Sequence, residues 1–115
     1  MNTLRNKVQL IGNLGQNPEI RTFDNGKALA RFSLATTDSY YDSNGKKITE
    51  TQWHKLAAWG NLAKIAEKYL IKGSEIAVEG KLTHRSYDDK DGKKCYITEV
   101  VVSDLVMLRS KNAEE

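Results

Sequence analysis

The chain has 115 residues, which suits one domain with a single hydrophobic core. Its 18 basic and 15 acidic residues give a net charge of +3, which permits an anionic partner without requiring one. The sequence has no apolar leader, no apolar run of the roughly 18 residues that a membrane helix needs, and one cysteine (Cys95), so it predicts a soluble cytoplasmic protein without a disulfide or a membrane partner.

Turn signals divide the chain into strand-like segments. Asn-Gly or Asp-Gly pairs end the stretches 24–26, 43–45 and 90–92, and such pairs favour tight reversals. Gly12 and Gly80 interrupt strand patterns, as glycines do at bulges and barrel corners. Segments with alternating or β-branched apolar residues are 7–14, 28–36, 51–60, 75–87 and 95–108. The side chains predicted to face the core are Val8, Leu10, Leu14, Ala30, Phe32, Leu34, Ile76, Val78 and Leu82.

One segment, 61–73, has helical rather than strand periodicity. Its predicted apolar face consists of Leu62, Ile65, Ala66, Tyr69 and Leu70. Asn61 is the predicted N-cap and Gly73 the predicted stop. The order β-β-β-α-β-β predicts an all-β OB-fold, a five-stranded Greek-key barrel with antiparallel strands and one helix between strands 3 and 4. This domain is predicted to cover residues 1–108, and residues 109–115 are predicted to form a short flexible C-terminal end.

The third strand segment, TQWHKLAAWG, contains both tryptophans of the chain. At period two, Trp53, Lys55 and Trp59 share one face, and His54 and Leu56 share the other. Burying the tryptophan face would expose Leu56, so the pattern favours a surface position for the tryptophans. Because Ala57 also lies on the tryptophan face, the residues alone leave a core position open.

Signals of enzyme chemistry are weak. His54 and His84 are the only histidines, and one cysteine cannot complete a Cys/His zinc set. Residues 88–92 are rich in aspartate, but Tyr87 stands where a calcium loop would need an acid. The sequence also lacks phosphate-binding glycine loops. We therefore expect a binding protein without a metal, a cofactor or catalytic residues.

Aromatic and basic residues recur together, which is the chemistry of single-stranded nucleic-acid binding. Flat side chains stack on unpaired bases, and cations meet the phosphates. These residues occur in three places, listed in chain order as Tyr40 and Tyr41 beside Lys46 and Lys47, then Trp53, Lys55 and Trp59, then Lys81, Arg85 and Tyr87.

Several stretches resemble the bacterial single-stranded DNA-binding proteins. The matching stretches are 6–21, 34–36, 53–60, 62–74, 78–82 and 96–102. They occur in the same order and at close to the same spacing over about residues 4–108. The resemblance implies an OB-fold protein, usually a homotetramer, that binds single-stranded DNA with little sequence preference during replication, recombination and repair.

The resemblance also implies roles for particular residues. Base-stacking aromatics fall on Tyr40, Trp53, Trp59 and Tyr87, and phosphate-binding cations fall on Lys7, Arg21, Lys55, Lys72 and Arg85. His54 matches a histidine associated with the subunit interface. Three positions that are often basic in the family are here Asn61, Thr83 and Ser86, which implies fewer phosphate contacts.

The last residues depart from the family pattern. Typical members continue into a Gly/Pro/Gln-rich linker and an acidic tip with a terminal aromatic, whereas this sequence ends in RSKNAEE. It therefore resembles a short, tail-less member or a phage or plasmid version. Recruitment of repair and replication proteins through a tail is not expected.

Two other classes of function stay open at the level of sequence. One is a primosome-like OB protein that connects DNA to a helicase or its loader. The other is an RNA-binding OB protein, which only the family resemblance ranks below a DNA-binding one. A dimer is the alternative to the tetramer, and the sequence gives neither the host nor the DNA site size.

Overall fold

The strand segments form one six-stranded sheet in the computed structural model, which describes residues 4–109. Its elements are β1 (Val8–Leu14), β2 (Glu19–Thr22), β3 (Ala28–Tyr41), β4 (Lys47–Trp59), α1 (Asn61–Tyr69), β5 (Glu75–Asp88) and β6 (Lys94–Arg109). Of the predicted flexible end, 109–115, Arg109 is the last residue of β6, and residues 110–115 lie outside the described part of the chain.

Five of the strands close into a barrel, as the sequence predicts for an OB-fold. The strand order is β1-β5-β6-β4-β3-β2, and β1 also pairs with β3, which closes the ring. The short β2 pairs only with β3 and was not predicted, so α1 follows the fourth strand along the chain rather than the third. The prediction of antiparallel strands is wrong for one pair, because β4 and β6 are parallel where Leu56 lies opposite Val100.

The barrel interior confirms most of the predicted core. Phe32, Leu34, Ile76 and Val78 are buried, in the phase that the alternation predicts. Leu82 is the exception. Its side chain is 37% exposed because it lies beyond Gly80, the last residue of β5 that pairs with β1.

Two pairs of strands continue past the barrel as two-stranded arms. In the β3–β4 arm (residues 36–52), the two strands pair only with each other, from Thr36 opposite Gln52 to Tyr41 opposite Lys47. In the β5–β6 arm (residues 81–99), the only pairing is likewise between β5 and β6. The two arms therefore project strand surface beyond the barrel, and the sequence also places several aromatics there.

Helix α1 packs on the barrel through a smaller face than predicted. Its buried side chains are Ala63 and Ala66, while Ile65 and Tyr69, expected to be buried, are 40% and 51% exposed. The methyl groups of the alanines let the helix lie close to β3, and that approach turns the larger side chains towards solvent. Within residues 4–109, no helix has both the length and the apolar character that crossing a bilayer requires.

The helix begins one residue earlier than predicted. Gly60, not Asn61, is the N-cap, and its φ of 65° is accessible mainly to glycine. The Gly60 carbonyl accepts hydrogen bonds from the N–H groups of Ala63 and Lys64. This sharp reversal puts α1 immediately after Trp59, at the end of the strand that bears both tryptophans.

Candidate nucleic-acid interface

Both tryptophans lie on the outer face of β4 and are solvent-exposed. Trp53 is 61% exposed and Trp59 43% exposed, whereas Leu56, on the opposite face, is buried. The alternative that these tryptophans form the core is therefore wrong. Ala57, which made that alternative possible, is buried on the tryptophan side because β3 and β6 flank it there and its side chain is short.

Each tryptophan rests on a specific support. The six-membered part of the Trp53 ring covers Gly15 so closely that a Cβ added to Gly15 would overlap it. Trp59 stacks on Phe23, with ring centroids 5.9 Å apart and an interplanar angle of 21°. The Arg21 guanidinium lies over the Phe23 ring, 5.1 Å from its centroid. The two indoles are thus held in place without being buried.

Sequence reasoning missed both supports. Phe23 could have been found, because Arg21 and Phe23 alternate with Thr22 at the end of a short strand and so point the same way. Gly15 gave no such signal, since its contact with Trp53 joins residues that are far apart along the chain.

The support under Trp53 gives a test of its orientation. We expect Gly15→Ala to displace the indole and to weaken binding of oligo-dT by about 1–2 kcal/mol, up to the value of one stacked base. The free energy of unfolding should fall by less than about 2 kcal/mol, because Trp53 can move into solvent. Fluorescence titration and urea denaturation measure the two effects. An unchanged affinity would show that the position of the ring over Gly15 is irrelevant to binding.

Lys55 lies between the tryptophans on β4 and borders a recess of about 320 Å³, called here the Glu99 recess. The residues that line it are Gln16, Glu19, Arg31, Phe32, Ser33, Lys55, Leu56, Arg85, Ile97 and Glu99. Inside it, Arg85 Nε donates a hydrogen bond of 3.3 Å to Oε1 of Glu99. Sequence reasoning predicted Lys55 and Arg85 as cations of the site, but missed Arg31 and Glu99.

Tyr87 extends the same face along the β5–β6 arm. Arg85 and Tyr87 alternate with Ser86, so both point to the side of the arm that bears Glu99. The structure therefore brings Trp53, Lys55, Arg85 and Tyr87 to one side of the sheet, with Tyr87 half-exposed at its outer end.

Tyr40 lies on the other side of its arm. Trp53 is paired with Ala35, and alternation from Ala35 puts Tyr41, not Tyr40, on the Trp53 side. Tyr40 shares the side of His54 and is exposed there, so its predicted stacking role stays a prediction. Tyr41, which the resemblance did not single out, is more exposed than Tyr40.

The remaining predicted residues are spread over the molecule. Lys7 forms an ion pair with Glu79, with 2.7 Å between Nζ and Oε2, and so lies beside the β1–β5 edge rather than beside the tryptophans. Lys72 follows α1, and its backbone N–H donates to Oδ1 of Asn17 at 2.7 Å, which attaches it to the loop that also contains Gly15. Both lysines stay predicted phosphate contacts.

The two histidines bond to threonines. His54 Nε2 lies 3.0 Å from Thr36 Oγ1, and His84 Nδ1 lies 2.8 Å from Thr98 Oγ1. His54 is half-buried within one subunit, so its interface role stays a prediction. In the described part of the chain, no three His, Cys, Asp or Glu side chains are grouped so that they could hold a metal ion.

Comparison with known proteins identifies the family of the chain. The model of the single-strand binding protein family matches residues 5–108. The chain belongs to the single-strand binding protein family. The chain is 46% identical over 109 residues to single-stranded DNA-binding protein 1 of Chlorobaculum tepidum, and 49% identical over 110 residues to the single-stranded DNA-binding protein of Bacteroides thetaiotaomicron. Each match covers 94% of this chain, and 67% and 68% of the two relatives.

Solved structures of the family share the fold. A Plasmodium falciparum single-strand binding protein in complex with single-stranded DNA superposes with a TM-score of 0.81 at 34% identity, over 94% of this chain and 99% of that one. A deletion mutant of the single-stranded DNA-binding protein from Thermus aquaticus gives a TM-score of 0.78 at 29% identity, over 92% of this chain and 51% of that one. These matches confirm the OB-fold that the sequence predicts.

Proposed function

We propose that the chain binds single-stranded DNA without strong sequence preference and protects it during replication, recombination and repair. The observation that carries the proposal is the pair of exposed tryptophans, Trp53 and Trp59, on either side of Lys55 in a member of the single-strand binding protein family. Exposed indoles are costly to leave in water, and unpaired bases are the flat apolar partners that suit them. Binding, rather than catalysis, is the proposed activity, and the cytoplasm is the proposed location.

Stacking and charge have separate parts in this mechanism. Bases stack on Trp53, Trp59, Tyr87 and Tyr40, each stacked base contributing roughly 1–3 kcal/mol whatever its identity. Phosphates are met by five cations, Lys7, Arg21, Lys55, Lys72 and Arg85. Stacking accepts every base, and phosphates are the same at every step, so the mechanism explains binding without sequence preference.

The proposed assembly is a homotetramer, with a dimer as the alternative. An exposed apolar row supports self-association, because Ile11 lies opposite Ala77 and Ala77 lies opposite Val106 across β1, β5 and β6. A shallow groove of about 520 Å³ runs along this row. A second copy would cover it, since an apolar strand surface of this kind is rarely left in water. Sedimentation velocity of the free protein distinguishes monomer, dimer and tetramer.

A competition experiment tests the proposed function. Labelled oligo-dT is bound to the protein and challenged with unlabelled oligo-dT, poly-U or duplex DNA, and polarisation reports the released label. We expect oligo-dT to compete best and duplex to compete poorly, because paired bases cannot stack on the tryptophans. The logarithm of the association constant should fall with that of the salt concentration by about 0.7 per phosphate contact. Equal competition by duplex DNA would contradict the proposal, and preference for poly-U would favour an RNA-binding function.

A further inference from the structure

A buried carboxylate is an unexpected feature of a surface that is proposed to bind phosphates. Glu99 is 8% exposed, and it lies in the recess that Arg31, Lys55 and Arg85 also line. A negative charge at this place should repel DNA, and burying it is costly unless it is paired. Its presence beside three cations therefore calls for a physical reason.

The geometry of the ion pair supplies that reason. Glu99 Oε1 accepts its hydrogen bond from Arg85 Nε, not from a terminal nitrogen, at 3.3 Å. A guanidinium has five N–H donors in a rigid plane, so an Nε bond leaves the four terminal donors free to bind a second anion. Within residues 4–109, the Glu99 carboxylate is the one hydrogen-bond partner that the structure gives to the Arg85 side chain.

The residue that bears the carboxylate is held at its backbone. Glu99 lies on β6 opposite Thr83, and the Thr83 hydroxyl donates a 3.2 Å hydrogen bond to the Glu99 carbonyl oxygen. The Arg85 side chain remains 42% exposed while its partner is almost fully covered. A hydrogen bond to an almost fully covered carboxylate restricts the rotamers of the half-exposed arginine and lowers the entropy that it loses on binding.

We propose that Glu99 is a positioning residue for DNA binding. Its carboxylate holds Arg85 by Nε, so that the terminal guanidinium nitrogens point out of the Glu99 recess towards one DNA phosphate. Lys55 and Arg31, on the β4 and β3 walls of the recess, add positive charge around the same phosphate. The inference rests on the proposed function and assigns roles to Glu99 and Arg31 that the family resemblance did not give them.

Charge alone and positioning predict opposite results for one substitution. Glu99→Gln removes a negative charge, so charge alone predicts tighter binding of oligo-dT and a steeper salt dependence. Positioning predicts affinity lower by about three- to tenfold, because the charged acceptor of Arg85 is lost. It also predicts a salt slope smaller by about 0.7, the value of one phosphate contact. Glu67→Gln, on the exposed side of α1, makes the same change in net charge and should stay within about twofold of the unmodified protein.

A second variant tests the proposal without changing the buried carboxylate. Arg85→Lys keeps the positive charge but has one ammonium group, which cannot bond Glu99 and still present a planar set of donors to a phosphate. We expect the same three- to tenfold loss, roughly, and no further loss when Glu99→Gln is added to it. This variant decides the question if Glu99→Gln does not fold.

Each outcome of these titrations has one meaning. Tighter binding by Glu99→Gln, or affinity of Arg85→Lys equal to that of the unmodified protein, would overturn the positioning role and leave the proposed function intact. Failure of the unmodified protein to bind oligo-dT at low salt would overturn the proposed function, and the role of Glu99 with it. A loss in Glu99→Gln that adds nothing further to the loss caused by Arg85→Lys in the double variant would support the proposal.

Discussion

The double variant Trp53→Ala, Trp59→Ala should bind oligo-dT more weakly by about 2–6 kcal/mol, since each indole stacks on one base. It should still fold. Both side chains are exposed, and the main contact that folding loses is the stacking of Trp59 on Phe23, which contributes about 1 kcal/mol. Fluorescence polarisation of labelled DNA gives the affinity, and circular dichroism in urea gives the free energy of unfolding.

A matched control removes an aromatic elsewhere. Tyr69→Ala on α1 truncates a side chain as exposed as Trp59, on a surface that is not assigned to DNA. Its affinity for oligo-dT should stay within about twofold of the unmodified protein, because no base is expected to stack there. If the double tryptophan variant unfolds, the contacts of the indoles with Gly15 and Phe23 are essential to folding, and the variant does not isolate stacking. If it folds and binds as well as the control, stacking lies on other residues.

Gly12→Ala is expected to destabilise the fold by about 3 kcal/mol, the upper part of the range for overpacking. Gly12 lies where β1 pairs with β5 on one side and approaches β3 on the other. A Cβ there would overlap the Ala35 carbonyl oxygen, a backbone atom that cannot turn away as a flexible side chain would. Urea denaturation measures the loss. The strand pattern predicted a bulge or a barrel corner at this glycine. The close approach of the β1 and β3 backbones explains why glycine is needed there.

A turn glycine serves as the comparison for this measurement. Gly45 has a φ of 79°, and a Cβ added to it meets nothing within 4 Å. Gly45→Asn should cost less than about 1 kcal/mol, because asparagine tolerates positive φ better than other residues. Equal stability of Gly12→Ala and the unmodified protein would mean that β1 can move away from β3, and that the barrel closes less tightly than described.

Local sequence patterns predicted the strands well because alternation reports directly which face is buried. Phe32, Leu34 and Leu56 lie in the core in the predicted phase, and that phase placed the tryptophans outside. The three predicted turns contain Gly26, Gly45 and Gly92, all with positive φ. Strand phase and turn conformation each depend on a few residues that are adjacent in the sequence, so they can be predicted from it.

Features that depend on distant contacts were not predictable. The face of α1 is set by how closely Ala63 approaches the barrel, whereas the apolar spacing counted the larger Ile65 and Tyr69 as buried. Leu82 is exposed because β5 continues past its last pair with β1, which periodicity alone does not show. The parallel pairing of β4 with β6 also joins strands that are far apart along the chain.

The candidate site shows the same division. The proposed stacking and charged residues were predicted from residue type, from period two and from the family resemblance. Gly15 meets Trp53 because the pairing of β1 with β3 closes the barrel, and Glu99 meets Arg85 because of the register of β5 against β6. Tyr41, rather than Tyr40, shares the side of Trp53, because the register of β3 against β4 fixes that choice.

Fluorescence of single-tryptophan variants tests the central claim most directly. Trp53→Phe leaves Trp59 as the only fluorophore of its kind, and Trp59→Phe leaves Trp53, while each variant keeps an aromatic ring at the changed position. On titration with oligo-dT, we expect both variants to be quenched and to saturate at the same ratio of DNA to protein, because both indoles stack on bases of one strand. DNA binding detected by polarisation while either tryptophan keeps its full fluorescence would contradict the claim that DNA lies across both.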